Sequence, residues 1–446
     1  MVDIKRRSFI KKAGIATVGA FVAPYILPTG RLFASTGNRK ADHVVFCLYA
    51  GGVRINESIQ KSEGNLMTNI LNGNEAIDPT IAGAMTPLPS SPLSMPLQNY
   101  GTLFKNFLYA QGPTGHFNGH TTAMTGVYTT TDLNLKDHPN FPTIFEYYRK
   151  HNSPAQSAMN SWWVSNTLGP YPALNYSKYP GYGAQYGANF IAPTFLINPT
   201  GNSLLGNMKT FNTNEQAQIS KMKTFFDNNF ANQLVIGDAG VTNTPADTQT
   251  LQNFLTTCFH NSNSGLYNNP WNISGGMSND MMNIFFAEQI IQQFTPELLV
   301  VNMQDVDICH TQYTTYCNNL RKADYVVAHL WNFIQNTPGM ANNTIMIVAP
   351  EHGRNNVPNS IIDSYGKYAL DHTAALDGSG DQVARDIFCL VVGPPSKVVQ
   401  GQVINANQGE SIEIVSSIAN ILSFDTNIPE NILKPFNTCG LQAAFY

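Results

Sequence analysis

Three short stretches of this chain join imidazoles to carboxylates: DVDICH with Asp305, Asp307 and His310, APEHGR with Glu351 and His352, and LDHTAALDG with Asp371 and His372. Asp, Glu and neutral imidazole are the ligand set that suits zinc and similar divalent ions, and a carboxylate a few residues from a His can reach the same ion. Two more stretches carry candidate chemistry. PTGHFNGHTTAMTG holds Thr114, His116, His120, Thr121 and Thr122, and GGVRINES holds Arg54 and Glu57. A lone Asp or His at a strand end is more often a turn former or a hydrogen-bonded structural residue. Three pairings in one chain, each following a strand-like segment, favour a metal site instead.

The elements that must position these residues are legible as apolar runs. HVVFCLYAGG (43–52), NFLYAQG (106–112), ELLVVNM (297–303), NTIMIVAP (343–350) and IFCLVVGPP (387–395) read as buried strands, since continuous apolar runs of this length suit a parallel sheet. Between them, residues 316–335 repeat apolar side chains at helical spacing, with Asp324 and His329 read as part of a solvated face. Strands alternating with helices predict an α/β fold: a doubly wound, mainly parallel sheet with helices on both faces. Ligands of such sheets bind outside the carboxyl ends of the strands, where the polar clusters fall. Residues 153–285, rich in Asn, Tyr, Pro, Gly and Thr, read as a loop-rich insertion that folds over the sheet, as a cap above the active face or as a peripheral subdomain.

The ordered set of clusters resembles the alkaline phosphatase superfamily, which includes sulfatases, nucleotide pyrophosphatases and metal-dependent phosphoglycerate mutases. The resemblance rests on HVVFCLYAGGVR as first strand and loop, HFNGHTTAMTGVY as nucleophile segment, DVDICH as an acid and His pair, APEHGR where that superfamily has Asp-His-Gly, DHTA as a last His ligand, and IEIVSSIANIL as a late helix. It implies an alkaline-phosphatase-like domain over residues 35–446, with Asp305 or Asp307, His310 and His372 on one ion and Glu351 with His352 on another. Three departures accompany it. Gly51 and Gly52 stand where ester-hydrolysing members place an Asp ligand, His116 stands at the nucleophile position, and Glu351 replaces an Asp. The Gly-Gly turn and EHGRN are similar to a branch of uncharacterised exported proteins with twin-arginine signals, for which no function carries over.

What this resemblance implies is a metal-dependent hydrolase of phosphate or sulfate esters, using one or two divalent ions (Zn, Mn or Ca) to polarise a small anionic ester. Arg54 is the candidate anion clamp, because guanidinium presents a planar fork to such groups. Thr114, Thr121 or Thr122 is the candidate nucleophile, with a metal-bound water as the alternative, and His116 is a candidate ligand, acid–base group or nucleophile. The alternative is a binding or structural exported protein that keeps the fold without hydrolysis, as the missing Asp and the missing hydroxyl at 116 suggest.

Composition bounds the rest. A 446-residue chain with 43% hydrophobic and 12% charged residues is long enough for one large α/β domain with insertions, and a net charge of −4 gives no reason to expect nucleic-acid binding. Residues 1–34 join KRRSFIKK to an apolar run and a small-residue site, the pattern of a cleaved twin-arginine export signal, so a periplasmic or exported chain with no stable membrane anchor is expected. None of the six cysteines forms a CxxC pair, and Cys47 and Cys389 lie inside strand-like runs as expected buried thiols.

Overall fold

A computed structural model describes residues 39–129, 138–152, 157–166, 173–196, 241–374, 380–429 and 440–446. The expected export signal, residues 197–240 of the expected insertion, and Cys439 lie outside them. The chain divides into two compact units, Met1–Thr36 and Gly37–Tyr446, and the second carries all of the described residues.

The centre of this second unit is a mixed, mostly parallel sheet of eight strands in the order β4-β3-β5-β1-β6-β7-β2-β8. The strands are β1 (His43–Tyr49), β2 (Gly101–Leu108), β3 (Ser161–Val164), β4 (Asn189–Ile191), β5 (Leu298–Met303), β6 (Thr344–Pro350), β7 (Asp386–Val392) and β8 (Gln402–Glu410). Pairing is parallel throughout except at β7, which runs antiparallel to both β6 and β2. Every residue of β1, β5 and β6 is buried, which is why these strands are unbroken apolar runs in the sequence. Strand β2 begins five residues earlier than the apolar run NFLYAQG predicts, and β3 and β4 arise inside the Asn- and Tyr-rich segment, where they extend one edge of the sheet.

The helices that matter for the site are α1 (His116–Thr125), α2 (Ile144–His151), α3 (Pro245–Asn263), α4 (Asn279–Phe294), α5 (Tyr313–Gln335) and α6 (Glu413–Ile421). On α5, Leu320, Val326, Val327, Leu330 and Ile334 are all buried, as the helical spacing predicts. Asp324 is not on a solvated face, however. It is buried and accepts from the backbone N–H groups of Asn69 and Ile70 and from the Asn69 side chain, so the acid fixes a connecting loop against the helix. Cys47, Cys258, Cys309, Cys317 and Cys389 are buried free thiols.

Candidate metal centre

The polar clusters meet beyond the carboxyl ends of β5, β1 and β6, three neighbouring strands at the middle of the sheet. Past β5 the chain makes a 3-10 turn, Asp305–His310. Side chains three residues apart eclipse in a 3-10 helix, so Asp307 and His310 project together, and His310 Nε2 lies 3.3 Å from Asp307 Oδ1. Past β6 come Glu351 and His352, and the loop after them returns His372 to the same place. Helix α1 delivers His116 as its first residue, with Nε2 3.0 Å from Asp307 Oδ1 and Nδ1 2.7 Å from Glu351 Oε1.

Two sets of ligand atoms each lie within 4.8 Å of one another: His116, Asp307, His310 and His372, and His116, Glu351 and His352. Four ligands at zinc's bond lengths of 2.0–2.1 Å stand about 3.3 Å apart on a tetrahedron. The separations from Asp307 Oδ1 to His116, His310 and His372 are 3.0, 3.3 and 4.0 Å.

The imidazole tautomers provide an independent test of fit. His372 Nδ1 lies 2.5 Å from Thr114 O, and His352 Nδ1 lies 2.8 Å from Gly353 O. A carbonyl oxygen only accepts, so both Nδ1 atoms carry the proton and both Nε2 atoms present a lone pair. Those Nε2 atoms are buried and accept no hydrogen bond, and His372 Nε2 faces Asp307 Oδ1 at 4.0 Å. Lone pairs turned toward carboxylate oxygens repel one another unless a cation lies between them. The donor set therefore fits a divalent ion of the nitrogen- and oxygen-binding kind.

Outer contacts fix the ligands. Asp371 Oδ1 accepts from His310 Nδ1 at 2.7 Å and from Asn359, giving the carboxylate–histidine arrangement that orients metal-bound imidazoles. Arg354 is fully buried and donates to Gly52 O, Leu370 O, Val306 O and Asp307 Oδ1, the last at 3.0 Å. Asp371 directly precedes His372 in the sequence and Arg354 follows EHG, so both belong to stretches that residue type alone singles out. The direction in which each points is set only by the fold.

Not every expected residue joins the centre. Asp305 turns to α4, where its carboxylate accepts from the Asp280 N–H and the Asn279 side chain in the first turn, leaving Asp307 as the acid of its stretch. Arg54 is no anion clamp. Its buried guanidinium is enclosed by Glu57, Glu63 and the Tyr313 hydroxyl. Thr121 and Thr122 are buried on α1 and line no part of the adjoining cavity, so neither is placed as a nucleophile. Thr114 donates to His372 O and receives from its ring, which makes it a support for that ligand. His120, one helical turn after His116, sits against Glu351 Oε2 and lies 2.9 Å from Asn302 Oδ1.

The Gly-Gly turn has a steric cause. At Gly51 φ is +103°, and an added Cβ would lie 2.7 Å from both Cβ and N of Asp307; at Gly52 φ is +79° and a Cβ would lie 2.6 Å from His352 Nδ1. No side chain fits where the resemblance calls for an Asp. Gly51→Ala should destabilise the protein by roughly 1–3 kcal/mol from backbone strain alone and displace Asp307, seen as a lower melting temperature together with weakened ion binding.

The centre's electrostatics follow from burial and crowding. Burial opposes a charge on His116, but Glu351 and Asp307 on either side outweigh it and raise the imidazole to about 10. Burial, with His352, His116 and Arg354 nearby, holds His372 well below the usual imidazole range. For Glu351, burial alone would raise the carboxyl, yet His120, His352 and His116 keep it well below the ordinary value. Because His116 binds its proton more tightly when folded, its stabilisation is complete below the unfolded imidazole pKa of about 6.5 and is lost as pH rises toward about 10. The metal-stripped protein should therefore melt at falling temperature across that window. Added Zn should offset the fall, since the ion competes for the same proton.

Beside the centre lies a cavity of about 580 Å³ lined by Gly51, His116, Asn283, Gln304, Asp307 and His310 among others. Among the described residues its lining contains no Lys or Arg. The hydroxyls of Thr311 and Thr315 reach it, but they donate to Ile308 O and Gln312 Oε1.

No protein-family model matches the chain, and no curated protein does. Among solved structures it is similar to wild-type alkaline phosphatase PafA, at 10% identity and TM-score 0.44 over 87% of this chain and 97% of that one. It is similar also to the PsFucS1 sulfatase from Pseudoalteromonas sp., at 11% identity and TM-score 0.44 over 88% and 69%. The lipoteichoic acid synthase LtaP from Listeria monocytogenes gives 12% identity and TM-score 0.42 over 86% and 72%. These likenesses concern the course of the chain alone.

Proposed function

We propose that the protein is a metal-dependent hydrolase of phosphate or sulfate esters. One observation carries the reading: His116, Asp307, His310 and His372 converge with pre-set tautomers at the edge of a cavity large enough for a small substrate. When bound, a divalent ion supplies Lewis-acid polarisation of an ester oxygen and activation of water. The chain's own residues do the positioning. Asp371 and Thr114 hold the imidazoles of His310 and His372, and Arg354 holds Asp307. Gln304, whose Nε2 is buried at the cavity wall without a hydrogen-bond partner, offers a donor to a substrate oxygen. Since the cavity hydroxyls are engaged and both nitrogens of His116 face carboxylates, water is the nucleophile in this reading.

A second reading, a metal-binding protein without turnover, is favoured by the enclosed Arg54 and by a lining that, among the described residues, holds no Lys or Arg to neutralise a departing anion. Screening phosphate mono- and diesters and sulfate esters with Zn, Mn and Ca separates the two. Turnover that a chelator abolishes supports hydrolysis, whereas a fully metal-loaded protein with no turnover supports binding alone. The paired Arg6 and Arg7 ahead of an apolar run support export as part of the same proposal, testable by fractionating cells that express the full chain.

A further inference from the structure

Resting on the metal centre of the proposed function, we infer that the chain holds a single divalent ion, bound by His116, Asp307, His310 and His372, and that Glu351 positions His116 instead of ligating a second ion.

The three imidazoles of the larger grouping are built alike. Each turns Nδ1 to an oxygen acceptor and Nε2 inward: His116 to Glu351 at 2.7 Å, His310 to Asp371 at 2.7 Å, and His372 to Thr114 O at 2.5 Å. In this pattern Glu351 plays for His116 the part that Asp371 plays for His310, an outer carboxylate that fixes tautomer and ring orientation.

Glu351 is also occupied at its Oε1. This oxygen accepts from the Gly51 N–H as well as from His116, while Oε2, beside His120 Nδ1, has no hydrogen-bond partner. The carboxylate is fully buried, and Gly119 on α1 lets the helix close over it, since a Cβ there would lie 3.0 Å from Glu351 Cβ. Glu351 therefore fills from β6 the space that a side chain at position 51 would need. One methylene more than Asp brings its oxygen onto the backbone N–H of the Gly-Gly turn. The smaller grouping, His116, Glu351 and His352, shares His116 with the larger one and keeps as its own only Glu351 Oε2 and His352 Nε2, both without a hydrogen-bond partner. One imidazole and one carboxylate oxygen fall short of the three protein ligands that an open zinc site keeps.

The test is titration of the metal-stripped full chain with Co(II), reading stoichiometry and affinity from the visible d–d absorbance, with Glu351→Gln and His352→Ala in parallel. The expected endpoint is one ion per chain in all three. Gln still accepts from His116 Nδ1, so affinity in Glu351→Gln should fall by roughly 10–100-fold without loss of the endpoint. His352→Ala should keep both endpoint and absorbance envelope, and it carries the test if Glu351→Gln does not fold. An endpoint of two ions that drops to one in either variant overturns the inference and leaves the metal-dependent reading standing. A folded Glu351→Gln chain with no endpoint also overturns it, by making Glu351 a ligand. An endpoint of zero in the wild type overturns the metal-dependent reading itself.

Discussion

Replacing His372 with alanine should remove bound metal and, with it, ester turnover. The ring is one of four converging ligands, its tautomer is set by Thr114 O, and its Nε2 has no other partner. Loss of a ligand should cost more affinity than the roughly 10–100-fold that follows loss of an orienting partner. Metal content after dialysis is the primary readout. The metal-stripped variant should still fold, because His372 sits in a loop and not in the sheet core, and a circular dichroism melt checks this. Retention of a full equivalent of tightly held ion by His372→Ala would remove His372 from the centre.

The second large effect concerns stability. Arg354→Met removes a fully buried guanidinium that ties Gly52 after β1, Val306 after β5 and Leu370 of the returning loop to Asp307, with the face of Tyr316 at 5.8 Å. Asp307 is 40% exposed and its charge is partly screened, so the cost comes chiefly from carbonyl acceptors left unmatched, roughly 1–3 kcal/mol. The melting temperature should fall by on the order of 5 °C, at about 2–4 °C per kcal/mol for chains of moderate length, and a bound ion should restore part of it by neutralising Asp307. Arg354→Lys should not rescue, because a single ammonium cannot span a fork of four acceptors. A change under about 1 kcal/mol would show that the strand-end loops hold without this residue.

The strands that carry the centre were legible because their burial is complete. A run such as IVAP has no polar residue to disguise it, and the acid and base at its end are where open α/β sheets place ligands. The direction of β7 was not legible, since an unbroken apolar run reads the same both ways. Strand β2 was misplaced because Lys105 and Asn106 interrupt its pattern on a partly exposed stretch. Within the site, residue types were legible and side-chain directions were not. Asp305 and Asp307 are equivalent in the sequence, and only the 3-10 turn decides that one faces α4 and the other the cluster. Arg54 read as an anion clamp because Glu57 and Glu63, which enclose it, are unremarkable until the loop folds. The Gly-Gly turn read as a missing ligand. Its cause is the close approach of Asp307 and His352, and the carboxylate nearest that turn comes from Glu351 on the neighbouring strand.

Anomalous diffraction from crystals of the mature protein grown with zinc, recorded on both sides of the zinc absorption edge, would locate the ion outright. One strong peak is expected at bonding distance, about 2.0–2.2 Å, from His116 Nε2, His310 Nε2, His372 Nε2 and a carboxylate oxygen of Asp307. A protein with no peak among those four side chains, or with its peak elsewhere on the chain, would contradict a metal centre at this end of the sheet.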